Sequence, residues 1–209
     1  MSGSEVLLKP SGCMMLLVDY QAGLAFAVES IPRHTLLNNA VAAAKTALAF
    51  GVPVVASTSA SRVYSGPLLP ELQAALPGVK AIERKNMNVW EDEAARGAVL
   101  VTQRKTLLVA GLLTEACVSF PVLSALAEGF KVFVIGDACG GLTPSSHELA
   151  LRRLEAAGAV LTSWLQVLLE FQRDWTRRET YEAARSVVVA HGGGYGIGLT
   201  YAREMIHPT

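Results

Sequence analysis

The stretch from Thr106 to Ile135 reads TLLVAGLLTEACVSFPVLSALAEGFKVFVI. Its ends, Thr106–Ala110 and Lys131–Ile135, are short runs rich in Val, Leu and Ile with little polar alternation, as in strands covered on both faces. Between them Val122, Ala125 and Leu126 recur at helical spacing. Pro121 limits where that helix can begin. Proline is tolerated in a first turn but costs about 3 kcal/mol or more in an interior, where its ring clashes and a hydrogen bond is lost. The helix is therefore expected to start near Cys117, six residues after Gly111. Strand, helix and strand in this order predict a parallel unit with a right-handed crossover.

The same alternation extends outward from this unit. Met14–Val18, Pro53–Ala56 and Ala159–Leu161 are further short apolar runs. Leu37, Val41, Ala44 and Leu48 fall on one helical face, with Asn38, Lys45 and Thr46 off it. Ser145 and Glu148 predict a capping box ahead of Leu149, Leu151 and Leu154. Together these predict an α/β chain, a parallel sheet with helices on both faces. After Leu161 the pattern is all helical. Trp164, Val167, Leu168, Phe171 and Trp175 form one stripe, and a second helix is expected from Glu179 to about Val189. The run His191–Gly198 then breaks the pattern before Leu199–Met205. It lacks the Lys-Ser/Thr of a phosphate-binding loop and reads as a flexible turn, so no nucleotide is implied. The expected organisation is a domain over 1–162 and a C-terminal helical extension over 163–209, with too little to bury alone and so packed across a neighbouring subunit.

Composition narrows the function classes. Among 209 residues, 18 basic and 18 acidic side chains give a formal net charge of zero. A neutral surface offers no electrostatic attraction to nucleic acid or to an anionic membrane. With 51% hydrophobic and 17% charged residues, the chain is the opposite of a disordered one. Its mean hydropathy of +0.35 is high for a lone globular body. Lys45, Arg84, Lys105, Glu115, Glu128, Lys131 and Asp137 interrupt every apolar stretch before the roughly 20 residues a spanning helix needs. Met1–Lys9 shows no basic region followed by a long apolar core, so no secretory signal is expected. Cys13, Cys117 and Cys139 are widely spaced and unpaired by motif, which predicts a reduced, cytoplasmic setting without disulfides. Self-association is the remaining explanation for the hydropathy.

In parallel α/β sheets ligands bind beyond the carboxyl ends of the strands. The polar residues there are Asp19 and Gln21 after the first run, Ser57, Thr58 and Ser59 after the second, the segment Gly111–Cys117, and Asp137. Cys117 at a helix start would have its thiolate favoured by the helix dipole, but a free cysteine is equally a small buried apolar residue. Asp19 either caps the next segment or, if desolvated, exchanges a proton with the thiol. Arg84 and Lys85 are either exposed charges or the cation of this group. Cys13 and Cys139 read as packing residues. His34, His147, His191 and His207 lack metal-ligand spacing, and no metal or cofactor is expected.

The elements Leu16-Leu17-Val18-Asp19-Tyr20-Gln21 and Val109-Ala110-Gly111-Leu112-Leu113-Thr114-Glu115-Ala116-Cys117-Val118 resemble the isochorismatase-like cysteine hydrolases. The run Cys117–Ala138, with Met87–Asp92, is similar to their YcaC-like subgroup. The resemblance implies a Rossmann-like three-layer α/β/α fold with a six-stranded parallel sheet. It also implies a Cys/Asp/Lys triad in which Cys117 is the nucleophile and Asp19 its base. A cis peptide at Leu112–Leu113 is implied too, with the amides of Leu113 and Cys117 as oxyanion hole. Most of the superfamily carries lysine six residues before an aromatic. Here that position, counted from Trp90, is Arg84, as in the subgroup, with Lys85 next door as the alternative. By the same resemblance Gln21, Asn88, Trp90 and Thr114 are pocket residues. The zinc-binding Asp-x-His element of nicotinamidases has no counterpart in Ser57–Gly66, which contains no histidine. The expected function is hydrolysis of a small amide or related acyl compound through a thioester, by a homo-octamer. The alternative is a non-catalytic or redox-sensing oligomer with a reactive Cys117.

Overall fold

A computed structural model of the chain describes residues 7–206. Six strands, β1 Cys13–Val18, β2 Val54–Ser59, β3 Ile82–Arg84, β4 Thr106–Gly111, β5 Lys131–Ile135 and β6 Val160–Thr162, form one sheet in the order β3-β2-β1-β4-β5-β6. Every pairing is parallel. β1 and β4 are fully buried or nearly so along their length, which is why they read as unbroken apolar runs. β3 is three residues long, too short to show any period, and it takes Arg84 out of solvent.

The connections run outward from β1 to β2 and β3 on one side and to β4, β5 and β6 on the other. The switch point therefore lies between β1 and β4, where a crevice opens at the carboxyl edge. Val18 sits level with Gly111 and with Ser57, and Ser59 with Arg84, so these strands end close together. Gly111 permits the closest of these approaches. A Cβ there would lie 2.2 Å from the Val18 carbonyl oxygen, so no larger residue fits.

The helices are α1 Ala22–Ala27, α2 Arg33–Ala49, α3 Pro70–Ala74, α4 Glu93–Leu100, α5 Ser119–Ala127, α6 Pro144–Ala156, α7 Trp164–Gln172, α8 Arg178–His191 and α9 Gly194–Tyr201. α2 is a middle layer, with β1 and β2 against one side and α7 and α8 against the other. Its buried set is therefore Leu36, Asn39, Ala40, Val41, Ala42, Ala43, Ala44, Thr46 and Ala47, wider than the single face expected; Thr46, expected off that face, is buried, and Leu48 is exposed. Short alanine side chains let backbones approach from both directions. The α6 cap also differs from expectation. Thr143, not Ser145, is the N-cap, and it exchanges hydrogen bonds with Ser146. Pro144 takes the first helical position, where a missing N–H costs nothing. Glu148 instead pairs with Arg152 one turn further on.

The C-terminal segment does not stand off the body as a free arm. Trp164, Val167, Leu168 and Phe171 bury the expected stripe within the same chain, and Phe171 meets Phe50 with ring centroids 5.4 Å apart. Ala184, Val187 and Val188 of α8 are buried as well. Trp175 leaves the stripe and packs edge-on against Tyr181. The glycine run is also tighter than a flexible turn. Only Gly192 and Gly193 break the helix, and a Cβ on Gly196 would lie 2.5 Å from the Val188 carbonyl oxygen. Gly196 thus lets α9 press against α8. Among the described residues the cysteines are free, and no helix is long and apolar enough to cross a membrane. His207 lies outside the described residues.

Candidate active site

At the switch point the chain leaves β1 through Asp19, whose φ of 55° is in the left-handed region. Such a backbone costs about 1–3 kcal/mol outside glycine and persists only where surroundings over-determine it. Asp19 is held on both sides. Its amide donates to the Ser57 carbonyl at 2.9 Å, and its own carbonyl accepts from the Gln21 amide at 2.7 Å. The side chain is fully buried and faces β3.

Arg84, 2% exposed, grips that carboxylate as a fork. Nη1 donates to Oδ1, and Nη2 donates to Oδ2 at 2.7 Å. Nη2 also donates to the Met87 carbonyl at 3.0 Å, and Ser59 Oγ donates to Asp19 Oδ2 at 3.0 Å. Burial opposes the charge on Arg84, but the hydrogen bonds and charge of Asp19 outweigh it and hold the guanidinium above its ordinary value. The charge is therefore permanent. Lys85, beside it, is exposed and lines a cleft of about 660 Å³ with Arg62, Glu83, Asn86 and Asp92. The residue against Asp19 is thus Arg84 and not Lys85.

Cys117 comes from the far side of the crevice. After β4 the Leu112–Leu113 peptide is cis, and Thr114–Val118 form a π-helical turn that runs into α5. Pro121 falls in the first turn of α5, as its chemistry requires. Cys117 is half-buried, whereas Cys13 and Cys139 are fully inside. Its thiol is pushed up to about 11, first by burial and then by the charge and hydrogen bonding of Asp19. Arg84 and the Leu113 amide pull the other way. Of the two readings of Cys117, desolvation and the facing Asp19 oppose the thiolate that the helix start favours. Asp19 and Cys117 thus face each other across the crevice, with Arg84 behind Asp19. Cys13 and Cys139 are also raised, to about 11 and about 12, by burial above all; Arg104, Lys131 and Glu170 act on Cys13 and Asp137 on Cys139 through charge alone, without a carboxylate hydrogen bond to the thiol.

The other expected pocket residues hold the elements around this group. Gln21 is buried, and its amide clamps the loop after β2. Nε2 donates to the carbonyls of Ser59 and Gly66, and Oε1 accepts from the Ser59 amide at 2.9 Å. Asn88 caps the turn Val89–Glu91 through the Trp90 amide and donates to Glu91 and to Ser124. Trp90 packs edge-on against Phe130, which precedes β5, and so lies toward the opposite end of the strands from Cys117. Thr114 is buried, and its Oγ1 meets His147 Nδ1 at 2.8 Å, tying the nucleophile turn to α6. Spacing alone did not reveal Ser59 as a partner of Asp19. Its place at the end of a buried strand was the only sequence signal.

The isochorismatase domain family matches residues 13–166. Probable hydrolase YcaC of Escherichia coli (strain K12) is 42% identical over 176 residues, 84% of this chain and 85% of that protein. Among solved structures, YcaC from Pseudomonas aeruginosa with hexane-2,5-diol and covalent acrylamide has a TM-score of 0.89 at 37% identity. That match covers 93% of this chain and 96% of the other. The YcaC gene product from Escherichia coli, described as an octameric hydrolase of unknown specificity, also has a TM-score of 0.89. Its identity is 38%, covering 93% of this chain and 95% of that one.

Proposed function

Because the chain belongs to the isochorismatase family, and the matched region 13–166 contains Asp19, Arg84 and Cys117, we propose that it is a hydrolase cleaving a small amide or related acyl compound with Cys117 as nucleophile. The observation that carries this reading is the buried Asp19 carboxylate, gripped by Arg84 and facing the Cys117 thiol.

The mechanism follows from what each group can donate or accept. Asp19 removes the proton from Cys117 as the sulfur attacks the carbonyl carbon, giving a tetrahedral adduct. The Leu113 amide, directed at Cys117 in the resting structure, and the Cys117 amide donate to the oxyanion. Collapse breaks the C–N bond, and the amine leaves with the proton from Asp19. Water, deprotonated by Asp19, then hydrolyses the thioester and restores the thiol. Arg84 takes no part in proton transfer. It keeps Asp19 oriented and balances its charge.

The relative of known octameric form makes a homo-octamer our expectation for this chain, with residues 163–209 at the joint and the catalytic domain over 1–162. A reduced, cytoplasmic setting fits three free thiols.

The test is intact-mass spectrometry of the protein mixed with a panel of small amides. Wild type is expected to accumulate an acyl adduct on at least one of them, and Cys117→Ser to form no thioester. An adduct that persists in both, or turnover unchanged in Cys117→Ser, would overturn the reading.

A further inference from the structure

The Asp19 carboxylate has two oxygens with different surroundings. Oδ2 accepts from Arg84 Nη2 at 2.7 Å and from Ser59 Oγ at 3.0 Å. Oδ1 accepts from Arg84 Nη1. Ser59 is itself fixed. The Gln21 side chain holds both its backbone groups, accepting from its amide at 2.9 Å and donating to its carbonyl at 3.1 Å. The β2–β3 register then sets Ser59 level with Arg84. The hydroxyl is therefore placed by a strand, a neighbouring strand and a buried amide together.

We propose that Ser59 is a positioning residue for the reaction: by occupying Oδ2 it leaves Oδ1 as the oxygen that takes the Cys117 proton, and it sets the pH at which Asp19 can do so. The inference rests on the cysteine-hydrolase reading above. Arg84 donates one N–H to each oxygen, whereas Ser59 adds a second donor to Oδ2 alone. A donor to the charged form of a carboxylate favours that form, so its removal makes protonation easier. Among the described residues, the charged and titratable groups acting on this pair are Arg84 from β3 and Cys117 from the turn after β4. β2 contributes the hydroxyls of Ser57 and Ser59. Glu83, also on β3, is held by Thr58 and Ser61 and feels the charge of Arg84.

The experiment measures the rate of Cys117 alkylation by 2-chloroacetamide against pH, below the range where free thiolate dominates. Wild type is expected to show an acid limb that is lost in Asp19→Asn. Ser59→Ala is expected to move that limb up by on the order of one pH unit. Ser59→Thr, which keeps the hydroxyl, should leave it in place. A purely structural role would lower the rate without moving the limb, and that result overturns the proposal. So does an equal shift in Ser59→Thr. If Ser59→Ala does not fold, as judged by its melting curve, Ser59→Gly takes its place with the same expected shift. The two readings fail separately. A limb untouched by Asp19→Asn sinks the cysteine-hydrolase mechanism, whereas one abolished by Asp19→Asn but unmoved without the Ser59 hydroxyl sinks only this inference.

Discussion

At the scale of single residues, the buried Asp19–Arg84 pair ties stability to the proposed chemistry. Both side chains are fully buried, so each is the only full compensation for the other's charge. Removing one partner of such a pair strands the other, which costs about 3–5 kcal/mol. Arg84→Met should therefore lower the chemical-denaturation midpoint strongly as well as abolish activity, while Lys85→Met should do neither. Equal melting behaviour for the two variants would refute the assignment. Asp19 and Cys117 were legible in the sequence because each ends or follows an apolar run where a polar residue needs a reason. Arg84 was legible only through family resemblance, since β3 is too short to announce itself. Gln21, Asn88, Trp90 and Thr114 were placed in the pocket by family resemblance, which says nothing of side-chain direction. In the structure each holds a neighbouring loop, turn or helix.

At the scale of elements, the apolar runs revealed the long strands, and the tail's stripe revealed the buried face of α7. The capping of α6 was misplaced because Thr143-Pro144 is as good a start as Ser145, and only the register of the helix on the sheet separates them. Thr143→Ala is expected to cost about 1 kcal/mol in unfolding free energy. Ser145→Ala should cost much less, and the reverse order would restore the earlier cap.

A second element-level contact ties α8 to α2. His191 Nδ1 meets Asn38 Oδ1 at 2.9 Å, and Lys45 Nζ meets Nε2 at 3.0 Å. An ammonium only donates, so Nε2 must be the acceptor and the ring neutral. Burial, and then Lys45, hold His191 below its ordinary 6.5. His147 is lowered too, by burial, against the charge of Glu115. For a histidine held low, the unfolded chain binds more protons than the folded one as pH falls past that ordinary value. Stability from these two sites is therefore full above 6.5 and is lost as pH falls through their lowered values. Thermal melts across this range should decline on acidification, and His191→Gln should flatten part of the decline. A slope unchanged in His191→Gln would exclude the contact as its source.

At the scale of the whole molecule, zero net charge and high hydropathy pointed to self-association, and the structure narrows where that would occur. The apolar stripes of α7 and α8 are already covered within the chain. Beyond Gly193 the apolar side chains turn outward, with Ile197 72% and Met205 67% exposed beside Tyr201 and Ile206. Exposed apolar clusters of this kind mark association surfaces. Replacing Ile197 and Met205 together with glutamate should reduce the mass seen by light scattering while leaving far-ultraviolet circular dichroism unchanged. A wild-type protein that is already monomeric would remove the assembly proposal altogether. Such patches are not legible from composition, because hydropathy reports how much apolar surface exists and not which side faces out.

The proposed catalysis requires Cys117 to react differently from two other thiols that are also raised, and acrylamide tests that directly. Peptide mapping after brief acrylamide treatment at neutral pH should find the adduct on Cys117 in wild type and a marked loss of labelling in Asp19→Asn. Faster modification of Cys13 or Cys139, or an Asp19→Asn variant labelled at Cys117 as quickly as wild type, would contradict the account.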